Sequence, residues 1–130
     1  MDMKRKSDQA LRLLFGEWQS DRYRTLQFWA FPRTTPERVK RLFRSMSFFG
    51  HLRFKVTPRR FTAFFEGKSY SQRYRVMWQS QDRVILAFGK GRKAEIRDIH
   101  FDGSDSFYML AGKANCEFFR RIGAGRSERE

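Results

Sequence analysis

The hydrophobic pattern of this chain changes once, and that change constrains the fold more than any other feature. Before Gly50 the clearest apolar residues recur at helical spacing, whereas after Gly50 they alternate with polar residues. Alternation is typical of strands with one covered face. Short turns such as Pro58-Arg59, Gly67-Lys68 and Asp102-Gly103 separate these segments and leave no room for a crossover helix. The pattern therefore predicts an antiparallel meander in a mainly β protein.

Seven strands are predicted after Gly50, and a strand near Phe15 to Gln19 makes eight. A meander of this length exposes two unpaired edges unless it closes on itself. We therefore predict an eight-stranded antiparallel up-and-down barrel, with a half-barrel or a sandwich as the competing architecture. Ile96 is out of register with Ile99 and Phe101, so a β-bulge is expected near Arg97-Asp98.

Two helices are predicted before the meander. Ser7 can cap a short N-terminal helix that ends by Gly16. A longer helix over 36–49 is inserted after the first strand, where it can cover an open end of the barrel, and Thr35 is its expected cap. One face of this helix repeats apolar residues that we expect to be buried: Val39, Leu42, Phe43 and Met46.

Length and composition are consistent with one domain. The 130 residues include 40% hydrophobic residues and 15 Phe, 4 Tyr and 3 Trp, enough apolar surface for a folded core. We expect a basic flexible tail over 1–6, the barrel over 7–122 and a flexible charged tail over 123–130. The longest apolar stretches are too short for a signal peptide or a membrane span, which predicts a cytoplasmic protein.

Two segments resemble a known superfamily. The residues Leu14-Phe15-Gly16-Glu17-Trp18 match the Gly-x-Trp pattern that opens the first strand of lipocalin-like (calycin) barrels. Arg120 and Arg121 are similar to the last-strand arginine that packs on that tryptophan, a contact worth about 0.5 to 2 kcal/mol. With the meander and the inserted helix, the resemblance extends over nearly the whole chain and is to short bacterial lipocalin-like proteins of unassigned function in particular.

The resemblance implies both a structural and a functional expectation. Gly16, Trp18 and either Arg120 or Arg121 would join the first strand to the last. The protein would be a non-enzymatic barrel that binds a small hydrophobic or amphipathic anionic ligand.

One predicted strand carries the candidate ligand-binding residues on its two faces. Tyr70, Gln72, Tyr74 and Trp78 alternate with Arg73 and Arg75. If the tyrosine face points inward, the barrel offers hydroxyls and an indole to a ligand with a polar end. If the arginine face points inward, it can hold a carboxylate. The alternative is that Tyr74, Val76 and Trp78 belong to the core and the arginines are solvated.

The charge of the chain suggests a second function. Lys and Arg number 28 against 14 Asp and Glu, a formal charge of +14. No acidic residue lies between Glu37 and Glu66, a segment with eight cations: Arg38, Lys40, Arg41, Arg44, Arg53, Lys55, Arg59 and Arg60. This patch is either a solvated face or a binding surface for nucleic acid or an anionic membrane, and in the latter case its affinity would fall with salt.

The sequence does not favour metal, cofactor or enzyme chemistry. His51 and His100 are the only histidines, and their spacing matches no metal motif. The one cysteine, Cys116, is more typical of a small buried side chain than of a nucleophile paired with His100. We therefore predict no metal, no cofactor and no catalytic residue.

Overall fold

Residues 9–45, 49–111 and 114–123 are described by a computed structural model of the chain. Its helices are α1 (Gln9–Leu14), α2 (Arg22–Gln27) and α3 (Glu37–Ser45), with a 3-10 turn at Gly91–Lys93. Its strands are β1 (Gly16–Ser20), β2 (Arg53–Val56), β3 (Arg60–Phe65), β4 (Lys68–Arg73), β5 (Arg75–Gln79), β6 (Arg83–Phe88), β7 (Glu95–Phe101), β8 (Ser106–Leu110) and β9 (Cys116–Gly123).

The nine strands form one antiparallel sheet that curves into a nearly closed barrel. Their order is β4-β3-β2-β1-β9-β8-β7-β6-β5. Strand β1 pairs with both β2 and β9, so the first and the last strand lie side by side. Strands β4 and β5 are the two borders of the sheet. The prediction of a mainly β antiparallel barrel is confirmed at this level.

The predicted number of eight strands is wrong, because the long strand through Tyr74 is two strands. Before Tyr74, β4 pairs with β3, and after Tyr74, β5 pairs with β6. A register shift between Val76 and Trp78 adds a second irregularity. Since a shift of one residue moves a side chain to the other face of a sheet, Trp78 does not share a face with Val76.

The predicted bulge near Arg97-Asp98 is also wrong. Strands β6 and β7 pair without interruption from Arg83↔His100 to Phe88↔Glu95. Ile96 is 54% exposed, while Ile99 and Phe101 are buried. The register is therefore kept by placing the apolar Ile96 outside and Arg97 on the inner face.

Aromatic rings pack along the interior of the barrel. Trp18 contacts Phe107 with 4.7 Å between ring centroids, and Phe107 stacks on Phe119 at 5.0 Å. Phe54 lies 4.8 Å from both Phe119 and Phe61. All five residues are buried, so these large side chains occupy much of the space in which a ligand of a wider barrel would lie.

The helices agree only partly with the sequence prediction. The short N-terminal helix is present as α1, and the predicted helix over 36–49 is present as α3, although 46–48 lie outside the described residues. The expected buried face of α3 is wrong, because no residue of α3 is buried and Leu42 is 61% exposed. Phe43 packs on Trp29 and Phe31 instead, each at 5.4 Å.

Helix α2 was not predicted. The Asp21 carboxylate caps it by accepting a hydrogen bond from the Arg24 backbone N–H at 3.0 Å. Thr25, which is buried, accepts one from the Phe118 backbone N–H at 2.8 Å and so binds the helix to β9.

Most of the two predicted tails lies outside the described residues. Only Gly123 of the predicted C-terminal tail is described, and it ends β9. The predicted turn at 112–113 is outside the described residues as well.

Candidate functional site

The first strand of the barrel, β1, and its last strand, β9, are joined by a contact between Trp18 and Arg121. We call the pairing of β1 with β9 and this contact the terminal junction. Trp18 is fully buried, and its Nε1 donates a hydrogen bond to the Leu14 carbonyl at 2.8 Å. The Arg121 guanidinium lies 4.3 Å from the centroid of the Trp18 ring. It also donates to the carbonyls of Phe15 at 2.9 Å and Leu13 at 2.6 Å.

The other residues predicted for this junction, Arg120 and Gly16, have smaller structural roles. Arg120 is exposed and lies opposite Gln19, so Arg121 is the arginine that stacks on the tryptophan. Gly16 opens β1 with φ +129°, a conformation that side chains rarely adopt. The indole and the guanidinium donate to backbone carbonyls of the same chain, and the cation lies over the ring. We therefore assign this junction a role in holding the fold together rather than in binding a ligand.

The sheet is open between its two border strands, β4 and β5, which lie at the ends of the strand order and far from the pairing of β1 with β9. This opening, which we call the lateral cleft, has a volume of about 720 Å³. It is lined by Gln72, Arg73, Tyr74, Arg75, Phe88, Gly89, Lys90, Lys93 and Glu95. Four of the six predicted ligand-binding residues, all within 72–75, therefore lie together in one concavity.

Tyr74 and Phe88 form the apolar part of the lateral cleft. Their ring centroids are 6.4 Å apart, and Phe88 belongs to the buried core. The Tyr74 hydroxyl donates to the Thr57 carbonyl at 2.6 Å. Burial raises the pKa of Tyr74 to about 12, so at neutral pH this phenol is an uncharged group fixed at the turn between β4 and β5.

The rim of the lateral cleft is strongly basic. Four cations line it, Arg73, Arg75, Lys90 and Lys93, against the single carboxylate of Glu95. Arg75 Nη1 donates to the Gly89 carbonyl at 2.6 Å, which links β5 to the turn after β6. A concave surface with several charges of one sign concentrates ions of the other sign, so the cleft favours an anion.

Two predicted ligand-binding residues lie elsewhere. Tyr70 shares a face with Gln72 but is 60% exposed, because it lies on the border strand β4. Trp78 is 49% exposed and has the Arg83 guanidinium 5.5 Å from its ring centroid. The register shift after Val76 accounts for this, since it places Trp78 opposite Ile85 rather than in line with Tyr74.

Arg97 is the functional candidate that the sequence analysis missed. It lies opposite Leu86 in the sheet, two residues before the buried Ile99. Its guanidinium carbon is 5.2 Å from the ring centroid of Phe88, 5.7 Å from that of Phe61 and 5.9 Å from that of Phe54. Strict alternation backward from Phe101 and Ile99 would have placed Arg97 on the inner face.

The hydrogen bonds of Arg97 are incomplete. Nη2 donates to Glu95 Oε2 at 2.9 Å, whereas the buried Nε has no hydrogen-bond partner among the described residues. Glu95 itself lines the lateral cleft. The Arg97 cation therefore lies next to Phe88, which lines the cleft, and is bound to a second lining residue through the Glu95 carboxylate.

The predicted basic patch is divided between two surfaces. Arg38, Arg41 and Arg44 are exposed on α3, and Lys40 lies near Glu37 with 4.0 Å between Nζ and Oε1. The remaining cations, Arg53, Lys55, Arg59 and Arg60, belong to β2, β3 and the turn between them.

The second surface, on β2 and β3, also includes Arg73 of β4, which the sequence pattern did not group with these cations. Arg60 lies opposite Arg73 of β4, and its Nε donates to Ser71 Oγ at 2.7 Å. Arg53 lies 4.6 Å from the ring centroid of Phe64 and 3.5 Å from Glu17 Oε1. We call this surface, formed by Arg53, Lys55, Arg60 and Arg73, the basic face.

The described residues include no group of three His, Cys, Asp or Glu side chains that could hold a metal ion. His100 Nε2 is 3.1 Å from Asp98 Oδ1, and its ring stacks on Tyr108 at 5.0 Å. Strand β8 separates His100 on β7 from Cys116 on β9.

Comparison with known protein families, curated proteins and solved structures finds no match to this chain. Within 9–45, 49–111 and 114–123, no helix is long and apolar enough to span a membrane.

Proposed function

We propose that this protein is a non-enzymatic lipocalin-like barrel that binds a small amphipathic anion in the lateral cleft. The observation that carries the proposal is the combination of an apolar floor with four cations around one concavity of about 720 Å³. Ligand pockets generally combine apolar walls with a few polar groups and have volumes of about 300 to 1,000 Å³. The lipocalin-like assignment is supported by the stacking of Arg121 on Trp18 at the terminal junction.

The cleft suits a ligand with one apolar part and one anionic group. The apolar part would contact Phe88 and Tyr74, while the anionic group would be held by cations such as Arg75 and Lys90. Because aromatic rings fill much of the barrel interior, the ligand would be short and part of it would stay in contact with water. For a molecule of roughly a dozen heavy atoms, we expect a dissociation constant near ~0.1 mM.

The test compares three amphiphiles that share a ten-carbon chain and differ in the charge of the head group. Isothermal titration calorimetry with decanoate, decanol and decyltrimethylammonium should show the strongest binding for decanoate and the weakest for the cation. A double variant, Arg75→Gln with Lys90→Gln, should weaken decanoate binding, whereas Arg38→Gln with Arg41→Gln on α3 should not. Absence of binding by all three probes, or equal binding of the cationic amphiphile, would contradict the proposal.

A second candidate function is that of a basic binding module for nucleic acid or an anionic membrane surface. The basic face supports it, because three cations of the predicted patch meet Arg73 there beside the hydroxyls of Ser69 and Ser71. Guanidinium groups and hydroxyls are common phosphate contacts.

A salt titration tests this second function. Retention on heparin and binding to anionic vesicles at low ionic strength should fall when Lys55→Gln and Arg60→Gln are combined. The double variant Arg38→Gln with Arg41→Gln separates the contribution of α3 from that of the basic face. Wild-type protein that neither heparin nor the vesicles retain at low salt would exclude this function.

A further inference from the structure

We propose that the anionic group recognised by this protein is a carboxylate, and that it binds Arg97 by taking the place of Glu95. This inference rests on the proposed ligand function and makes it more specific. In this inference the anionic group binds Arg97 rather than the cations at the rim of the lateral cleft. Glu95 pairs with Arg97 when no ligand is bound and is displaced by the ligand carboxylate.

The position of Arg97 is unusual for a cation. Its backbone register places it on the inner face of the barrel, and only 27% of its side chain is exposed. Three phenylalanine rings lie within 6 Å of the guanidinium carbon. A charge moved from water into such surroundings loses hydration, and this loss is offset only where partners replace the water.

Arg83 shows how an arginine of this same sheet pairs with a carboxylate through two hydrogen bonds. Its Nε donates to Asp98 Oδ1 at 2.9 Å and its Nη2 to Asp98 Oδ2 at 2.7 Å, a two-bond grip on one carboxylate. Arg97 has only half of this arrangement, because Nη2 donates to Glu95 while the buried Nε has no partner among the described residues. One acceptor oxygen at Nε would complete the arrangement.

A ligand carboxylate can complete this grip without leaving a charge unpaired. Glu95 lines the lateral cleft and its side chain is half exposed, so it can turn toward water when it is displaced. One carboxylate then replaces another on Arg97, and the cation stays neutralised throughout. The phenylalanine rings beside Arg97 suit the first carbons of an apolar tail, which favours a monocarboxylate with an alkyl or aryl group.

The direct test is the arginine Nε–H region of a ¹⁵N–¹H correlation spectrum of the full chain, titrated with decanoate. The Arg97 signal, identified by its loss in Arg97→Met, should shift on saturation, whereas the Arg83 signal should not. An Arg97 signal that stays in place while decanoate binds would overturn the inference.

Calorimetry gives an independent test with matched variants. Arg97→Met should weaken decanoate binding at least ~10-fold, the loss expected for a charge-assisted pair, and should leave decanol binding within about twofold. Glu95→Gln should strengthen decanoate binding because it removes the competing carboxylate. Arg120→Met, at an exposed arginine of β9, serves as the control and should bind both probes as the wild type does.

The outcomes separate this inference from the function on which it rests. If Arg97→Met binds decanoate normally while Arg75→Gln with Lys90→Gln does not, the carboxylate stays at the rim, and only the inference is wrong. If the wild-type protein binds neither decanoate nor decanol, the proposed function is wrong as well. If Arg97→Met does not fold, Arg97→Lys takes its place in both experiments. The calorimetry of that variant and the spectrum of the wild-type protein then decide whether the carboxylate binds Arg97.

Discussion

The first and last strands of the barrel are paired at one place, and the sheet is left open at another, and the two places are built differently. At the terminal junction, β1 and β9 pair, and Arg121 lies over Trp18 while donating to backbone carbonyls. At the lateral cleft, β4 and β5 follow each other directly in the chain, yet they are the two borders of the sheet. Two strands that are far apart in the sequence, β1 and β9, are thus paired, whereas β4 and β5, which are adjacent in the sequence, are not paired with each other.

This difference separates the part of the molecule that maintains the fold from the part in which we propose that a ligand binds. Cations and aromatic rings at the terminal junction satisfy one another inside the protein. At the lateral cleft, the cations Arg73, Lys90 and Lys93 line a concavity beside Phe88. Unpaired strand borders and exposed aromatic residues are unfavourable for a soluble protein unless they are covered, and the ligand binding that we propose would account for this opening.

The largest expected effect contrasts two of the three tryptophans, Trp18 and Trp78. Trp18→Ala should lower the free energy of unfolding by about 3 to 5 kcal/mol, because it removes a fully buried ring from the interior stack. Trp78→Ala should cost about 1 kcal/mol or less, since this ring is half exposed at the border of the sheet. Urea denaturation followed by circular dichroism measures both. Equal losses would show that the two regions do not differ as described.

The next effect concerns the two adjacent arginines of β9. Arg121→Met should lower the free energy of unfolding by about 2 to 4 kcal/mol, because it removes the contact with the indole and leaves several carbonyls without their donor. Arg120→Met should change it by about 0.5 kcal/mol or less, as is usual at exposed positions. The melting temperatures of the two variants provide the comparison. A similar loss in both would argue against a specific role of Arg121.

The terminal junction was largely predictable from sequence, because its signals are local. Alternating residues mark the strands, turn residues separate them, and the Gly16–Trp18 segment resembles the opening of a known barrel. What the pattern left open was which arginine lies over the indole. The structure resolves this through the register of β9, which places Arg121 opposite Trp18.

The lateral cleft was predictable only in part. The strand through Tyr74 was recognised as the carrier of candidate ligand groups, but its division into β4 and β5 depends on which neighbour each half finds. Arg97 was missed because Ile96, the apolar residue beside it, was assumed to point inward. Hydrophobic patterning assigns inner positions to apolar residues, and it therefore fails at a site where a cation lies inside.

Tyr74 provides a smaller effect at the lateral cleft. Tyr74→Phe should lower the free energy of unfolding by about 0.5 to 1.5 kcal/mol, because the Thr57 carbonyl loses its donor. Since the folded pKa is raised to about 12, the unfolded chain releases this proton first, and the stabilisation is lost as the pH rises from ~10 toward that value. Ultraviolet titration should show one tyrosine near pH 12 that Tyr74→Phe removes and Tyr70→Phe retains.

Glu117 gives the smallest effect and probes the terminal junction. Burial raises the pKa of the Glu117 carboxyl, an effect that the hydrogen bond from Ser20 Oγ at 2.7 Å partly opposes. The folded state therefore favours the protonated form, and the wild-type protein loses stability as the pH rises through the folded pKa. Glu117→Gln keeps an acceptor for Ser20 without the charge, so it should be more stable than the wild type at pH 7 by less than about 1 kcal/mol. This difference should shrink as the pH falls below the normal carboxyl range, whereas Glu66→Gln in an exposed turn should show neither effect. A Glu117→Gln variant that is less stable at neutral pH would mean that the charged carboxylate contributes to joining β1 and β9.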